Sequence, residues 1–377
     1  MRVALIHEWL ASVYGSERVF FAFAAMFPQA DLFAVVDVLP SAQRAPLGGR
    51  PVRTTRIQGL PFARTQFRRY LSLMPRAIEA LDLSGYDLVV SSSHAVAKGV
   101  LVGPDTLHVS YVHSPMRYAW DFGPRYLSTL RWPLSTLARR QLDRLRDWDA
   151  LSARRPHHLI ANSRYIGRRI RACWGRDADA VIHPPVDVDD CTPGPGGGPF
   201  VAASRLVPYK RMDLIVEAFR HLPDEQLVLI GEGPDLARCR ALAGPNVRIL
   251  GHVSRPELVR HLGAASAFLF AAEEDFGIAP VEAMACGTPV IAYGRGGILD
   301  SVQDGLGGLF FAEQTAASVV EAIRAFRRRS FDRAAIAAGA RRFATSRFRA
   351  ESGQFLAGRW DAFRAGLGRP TAPLEVA

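Results

Sequence analysis

The chain has 377 residues, room for two domains of ordinary size, and its 49% hydrophobic and 22% charged content excludes an intrinsically disordered protein. A formal charge of +11, carried mostly by arginine, calls for an acidic partner: a phosphorylated substrate, an anionic membrane surface or nucleic acid, the last set aside because no nucleic-acid-binding motif occurs. Four cysteines, Cys173, Cys191, Cys239 and Cys286, stand at spacings that fit neither a metal site nor a redox pair, and no apolar run reaches the roughly 18 residues of a membrane span.

In chain order, the apolar run at residues 3–6 predicts a strand buried on both faces, because His7 and Glu8 break the run too early for a signal peptide. Residues 12–18 read as a loop that opens a helix through 19–24. Strand, glycine-bearing loop and helix in that order predict a Rossmann-like unit with a phosphate site at the helix start. Further strands are expected at 31–36, 88–93, 108–112 and 159–163, with helices between them, the alternation of a parallel α/β sheet.

Arginine interleaves with aromatic residues and leucine from Phe62 through Arg64, Arg68 and Arg69 to Arg76, and again over residues 125–140. Such stretches are either helices whose arginine stems cover apolar surface or a face that rests on anionic lipid. The sharpest shift in composition, rich in proline and glycine, marks an interdomain linker at 187–198. The alternation then restarts, with strands at 200–203, 226–230, 247–250, 268–270, 290–292 and 309–311. The tail, 331–366, reads as arginine- and alanine-rich helices packed through Phe343, Phe348, Phe355, Trp360 and Phe363. With no short-period repeat, the halves are separate Rossmann-like units.

Chemistry concentrates in residues 272–292. A buried strand ends there, Gly277 supplies a turn through which a ligand can approach the backbone, and Pro280 sits where a first helical turn tolerates proline. Gly287 with Thr288-Pro289 stops the helix. Glu274 and Glu282 frame its N-terminus, where free N–H groups and the dipole favour an anion and where sugar hydroxyls can donate to a carboxylate. Arg205, a planar fork, and Lys210, a point charge, follow the strand at 200–203 and suit the charge that develops on a diphosphate leaving group.

The whole run, with Phe276-Gly277, Glu282-Ala283-Met284-Ala285-Cys286-Gly287 and Thr288-Pro289-Val290, resembles the nucleotide-sugar site of the retaining glycosyltransferases of family 4, which have the GT-B fold. Its Glu274-Asp275-Phe276-Gly277 form looks most like the subgroup that transfers mannose in bacterial O-antigen and exopolysaccharide assembly. The resemblance implies two Rossmann-like domains facing a central cleft. The acceptor domain is expected at 1–186 and the donor domain at 199–352, with a C-terminal helix at about 353–377 returning to the first. It implies that Glu274 binds the transferred sugar and Glu282 the donor ribose. Arg205 and Lys210, with the backbone of Gly277, Ile278 and Ala279, would hold the diphosphate, Phe276 would belong to the same donor site, and the backbone near Val253 would hold the base. Gly15 and Ser16 would face the diphosphate, with Tyr14 where relatives often have a second glycine. His113, in a His-x-Pro pattern, would orient and polarise the sugar or diphosphate. Arg117, Tyr118 and Asp121 are candidate acceptor contacts. Asp300 stands where a Gly-Gly-x-x-Glu loop has its glutamate, one methylene shorter.

The expected activity is therefore a retaining hexosyl transfer, mannose from GDP-mannose, onto a lipid-linked or oligosaccharide acceptor. It needs no metal or other cofactor, and a phosphate oxygen serves as base. The expected location is cytoplasmic, peripheral on the inner face of the plasma membrane. Three alternatives stand beside it: a UDP-sugar donor, a GT-B nucleotide-sugar epimerase, and a non-enzymatic protein that binds a sugar nucleotide or a lipid surface.

Overall fold

The computed structural model describes residues 1–13, 15–121, 134–368, 374 and 376. Tyr14 and most of the second arginine-aromatic stretch, residues 125–133, lie outside them. The chain forms two compact units, Met1–Pro185 with Phe348–Ala377, and Val186–Arg347.

The first unit holds a seven-stranded sheet of order β3-β2-β1-β4-β5-β6-β7. The strands are β1 Val3–Leu10, β2 Asp31–Asp37, β3 Val52–Thr54, β4 Leu88–Ser93, β5 Leu107–Val112, β6 His158–Ala161 and β7 Ala180–Val181. Every pairing is parallel. Both faces are apolar because alternate residues feed two cores: Val3, Leu5, Leu32 and Leu88 lie in one, and Ala4, Ile6, Phe33 and Val89 in the other. Helix α1, Gly15–Met26, leaves β1 toward β2, whereas β4 lies on the other side of β1. The strand order thus reverses between β1 and β4.

The second unit repeats the plan with six strands of order β10-β9-β8-β11-β12-β13. These are β8 Phe200–Ala203, β9 Leu227–Ile230, β10 Val247–Gly251, β11 Phe268–Phe270, β12 Val290–Tyr293 and β13 Gly308–Phe311. Again alternate residues divide: Val201, Val228 and Phe268 face one core, Phe200, Leu227 and Leu269 the other. Here the order reverses between β8 and β11.

The proline- and glycine-rich stretch is packed onto the second unit. Val188 and Cys191 are buried there, and a Cβ on Gly194 would stand 2.3 Å from the Gly263 carbonyl oxygen. After Arg347 the chain rejoins the first unit. Phe348 packs against Phe23 and Tyr111, with ring centroids 5.3 and 5.7 Å away, and Leu356 and Trp360 extend the same core. The sequence missed β3 and β7, edge strands of three and two residues, too short for alternation to register.

Candidate active site

In the second unit the predicted residues converge at the strand reversal, where the carboxyl ends of β8 and β11 leave a crevice in sheets of this kind. The segment after β8 carries Arg205 and a turn of 3-10 helix, Pro208–Lys210. The β9 loop lies directly against it: Leu206 N–H donates to the Glu232 carbonyl over 2.8 Å, and a Cβ on Gly231 would stand 1.8 Å from the Ser204 carbonyl oxygen. Only glycine fits there, with its φ of 134°. Lys210 forms an ion pair with Glu274, whose segment follows β11. The two side chains are only 16% and 17% exposed, so each charge is partly desolvated and depends on the other. Arg205 is exposed, with its guanidinium 3.3 Å from the Tyr209 hydroxyl.

The Glu274 segment is clamped from behind. Gly297 N–H donates to the Glu274 carbonyl over 2.7 Å, and a Cβ on Gly297 would stand 2.1 Å from the Asp275 carbonyl oxygen. The Gly296-Gly297 pair therefore fixes this loop by its lack of side chains, while Asp300 lies one turn on and its carbonyl accepts from Arg342. Gly277, at φ 92°, then opens helix α2, Ile278–Ala285. No side chain caps α2 and its first turn holds no acidic residue, the arrangement that favours an anion. Phe276 is buried against Phe343 with centroids 5.4 Å apart, so its ring serves the core rather than a ligand. Glu282, 5% exposed on α2, accepts a 2.7 Å hydrogen bond from Arg255, whose other nitrogen donates to the Asp187 carbonyl. Arg255 was not singled out by the sequence, since it sits 27 residues from Glu282. Val253 is half-buried at the edge of the same core.

In the first unit the reversal between β1 and β4 holds a cluster of buried polar groups. His113, at the end of β5, is 8% exposed and its Nε2 lies 2.9 Å from Ser92 Oγ. Burial, with the rings of His94 and His7 nearby, pushes its pKa down to about 3, so at neutral pH it is an uncharged ring that can orient but not carry charge. Glu8, fully buried in the C-terminal half of β1, accepts from the backbone N–H groups of His94, Ala95 and Ala97 over 2.9, 2.9 and 3.1 Å and from Ser93 Oγ over 3.1 Å. Its other oxygen lies 3.1 Å from His94 Nδ1. Burial alone would raise the Glu8 carboxyl, but His94, His7 and the Ala97 N–H outweigh it and hold it well below the usual range. Behind them His7 Nε2 stands 4.0 Å from Glu17, a buried carboxylate in the first turn of α1.

Gly15 and Ser16 open α1, and the Glu17 carboxylate in the same turn opposes a second anion there. Arg117 and Tyr118 are half-buried on a short helix, Arg117–Trp120. Asp121 is committed to Arg169, which donates to both its oxygens over 2.6 and 2.7 Å. The sequence missed His7, Glu8, Glu17 and His94. For His7, Glu8 and His94 the available signal was a run of charged or polar residues directly after an apolar run, twice, at His7-Glu8 and at Ser91-Ser92-Ser93-His94.

Two further anchors hold this region. Lys98, 1% exposed, pairs with the fully buried Asp149 over 2.5 Å. Asp149 also accepts from the indole N–H groups of Trp120 and Trp174, each over 2.8 Å. Among the described residues no group of His, Cys, Asp and Glu forms a metal-ligand cluster, and no helix is long and apolar enough to cross a membrane.

Residues 13–190 match the family described as Glycosyltransferase Family 4, and residues 198–343 match Glycosyl transferases group 1. A D-inositol 3-phosphate glycosyltransferase of Mycobacterium sp. (strain KMS) is 34% identical over 179 residues, 40% of each chain. A GDP-mannose-dependent alpha-(1-6)-phosphatidylinositol monomannoside mannosyltransferase of Mycolicibacterium smegmatis is 32% identical over 178 residues, 39% of this chain and 46% of that one. The matches thus span less than half the length of these two relatives. The structure of Anabaena HepE in complex with UDP superposes with a TM-score of 0.69 at 18% identity, covering 95% of this chain and all of that one.

Proposed function

We propose that this chain, of GT-B architecture, is a family 4 glycosyltransferase that transfers a hexose from a nucleotide sugar to a saccharide acceptor with retention of configuration. The observation that carries the reading is the Lys210–Glu274 pair beside the uncapped start of α2, with Glu282 on that helix. A diphosphate placed at that helix end meets free N–H groups, Lys210 and the exposed Arg205, all suited to the charge that grows as it leaves. Glu274, released from Lys210 by the incoming phosphate, is then available to sugar hydroxyls. The bond from the sugar C1 to the phosphate oxygen breaks, the bond from the acceptor oxygen to C1 forms on the same face, and the hydroxyl proton leaves on a phosphate oxygen. His113, neutral and held by Ser92, orients substrate in this scheme.

For the donor we favour GDP-mannose, on the form of residues 274–277 and on the GDP-mannose dependence that names the M. smegmatis relative. UDP, bound in the similar fold of HepE, makes a UDP-sugar the second choice. For the acceptor we favour a lipid-diphosphate-linked saccharide of bacterial surface polysaccharide synthesis, met at an anionic membrane face. Phe62 is 72% exposed at a φ of 57°, among the exposed Arg64 and Arg69, and this patch supports peripheral docking. A thermal-shift screen of GDP, UDP and their sugars, followed by turnover with the donor that stabilises most, tests the reading. GDP and GDP-mannose are expected to raise the melting midpoint. Stabilisation by none of the nucleotides overturns the reading, and epimerisation of donor alone replaces it with an epimerase.

A further inference from the structure

His94 stands out among the polar groups at the first strand reversal. His7 and Glu8 are fully buried, and Glu17, Ser92 and Ser93 nearly so, whereas 22% of the His94 side chain reaches the surface. Its Nδ1 is buried against Glu8 at 3.1 Å, which leaves Nε2 as the outward nitrogen. The ring packs edge-on against Trp9 at 4.8 Å, and the Arg68 guanidinium lies over Trp9 and Phe67 at 5.8 and 4.9 Å. The outer layer of the cluster is therefore cationic, and both its carboxylates are inside. The place is the crevice at the carboxyl ends of the strands where sheets of this kind bind ligands.

We propose that His94, backed by Glu8 and flanked by Arg68, is a substrate contact of the first unit, donating from Nε2 to a phosphate oxygen. The inference rests on the glycosyl-transfer reading and deepens it. The diphosphate belongs either to the donor nucleotide or to a lipid-linked acceptor. The geometry makes the contact protonation-dependent. In a neutral ring the proton belongs on the nitrogen beside the carboxylate, Nδ1, 3.1 Å from Glu8, so Nε2 presents a lone pair and repels phosphate; only the imidazolium donates there. The groups that face the ring are Glu8 and His7 from β1, Glu17 from α1, His113 from the end of β5, and Arg68. Burial opposes the imidazolium, but Glu8 and then Glu17 outweigh burial and Arg68, so its titration lies above the ordinary 6.5.

The test is calorimetric titration of the full chain with GDP, UDP and geranyl diphosphate from pH 6 to pH 9, on the wild type and on His94→Gln, with melting curves to establish folding. The wild type should lose affinity for one class of diphosphate as pH rises, the nucleotide or the prenyl. At pH 6 His94→Gln should bind that class about 10- to 100-fold more weakly, as expected for a lost charge-assisted hydrogen bond, with a flat pH profile and the other class unchanged. The class affected identifies the source of the phosphate. If His94→Gln does not fold, the wild-type pH profile decides alone. A flat wild-type profile, or a folded His94→Gln that binds both classes as the wild type does, overturns the assignment. A wild type that binds neither class overturns the glycosyl-transfer reading itself.

Discussion

Asp149→Ala tests the packing that supports the first unit's candidate residues. The substitution leaves the Lys98 ammonium, 1% exposed, with one carbonyl, that of Ala95 at 3.1 Å, and the faces of Trp148 and Trp174 at 5.2 and 5.0 Å. It also strips the indole N–H groups of Trp120 and Trp174 of their acceptor. Breaking a buried pair by removing one partner costs about 3–5 kcal/mol, and an unsatisfied buried donor about 1–3 kcal/mol more. These terms overlap, so we expect about 5 kcal/mol. A unit of about 215 residues has an unfolding entropy of about 0.45 kcal/mol/K, so the first unit's melting midpoint should fall by about 11 °C. The control is Lys98→Met with Asp149→Asn, which removes the ammonium and keeps an acceptor for the indoles. It should recover more than half the loss, as read by calorimetric unfolding and near-UV circular dichroism. If Asp149→Ala costs less than about 2 kcal/mol, or the double variant is no better, the stranded-charge argument is wrong.

Glu274→Ala should leave nucleotide affinity within about threefold and lower kcat by about 100-fold or more, because its proposed contact is to the sugar; near-normal turnover refutes that placement. The stability from the Glu8–His94 pair should have a pH window. The depressed Glu8 contributes above its ordinary 4.5 and loses that contribution as pH falls through its folded value. The raised His94 contributes fully below its ordinary 6.5 and loses that contribution as pH rises through its folded value. The first unit should therefore melt lower at pH 9 than at pH 6, and a His94→Gln variant with the same decline counts against the pair. Transfer should persist in EDTA, since Arg205 and Lys210 supply the positive charge a metal would bring; strict dependence on Mn²⁺ or Mg²⁺ refutes this. Arg64→Gln with Arg69→Gln should reduce co-sedimentation with anionic vesicles and leave nucleotide affinity unchanged, and equal binding to neutral and anionic vesicles sinks the docking proposal.

The strands of both sheets were readable because alternate residues feed apolar cores on both faces, so each interior strand is one short apolar run. What could not be read is what depends on distant partners. Glu8 finds its N–H donors and His94 at a separation of 86 to 89 residues, and in the sequence it only ends a hydrophobic run. Proline and glycine at 192–199 have the composition of a flexible linker, yet Gly194 is small because another backbone lies against it. Phe276 belongs to the motif run, but its ring serves the core through Phe343. Asp121 looked available to an acceptor because Arg169, its partner, is 48 residues away.

The whole sequence contains 45 arginines and only two lysines, Lys98 and Lys210. One is sealed in a buried pair and the other sits on Glu274, 16% exposed. Amines rather than guanidinium groups react with acylating reagents, so in the folded chain such a reagent has two nitrogens to find, the α-amino group and Lys210. Mass spectrometry of partly acylated protein thus becomes a meter of what occupies the α2 start. A diphosphate that takes Lys210 protects it, a ligand that binds elsewhere does not, and the α-amino group is the internal standard in every spectrum.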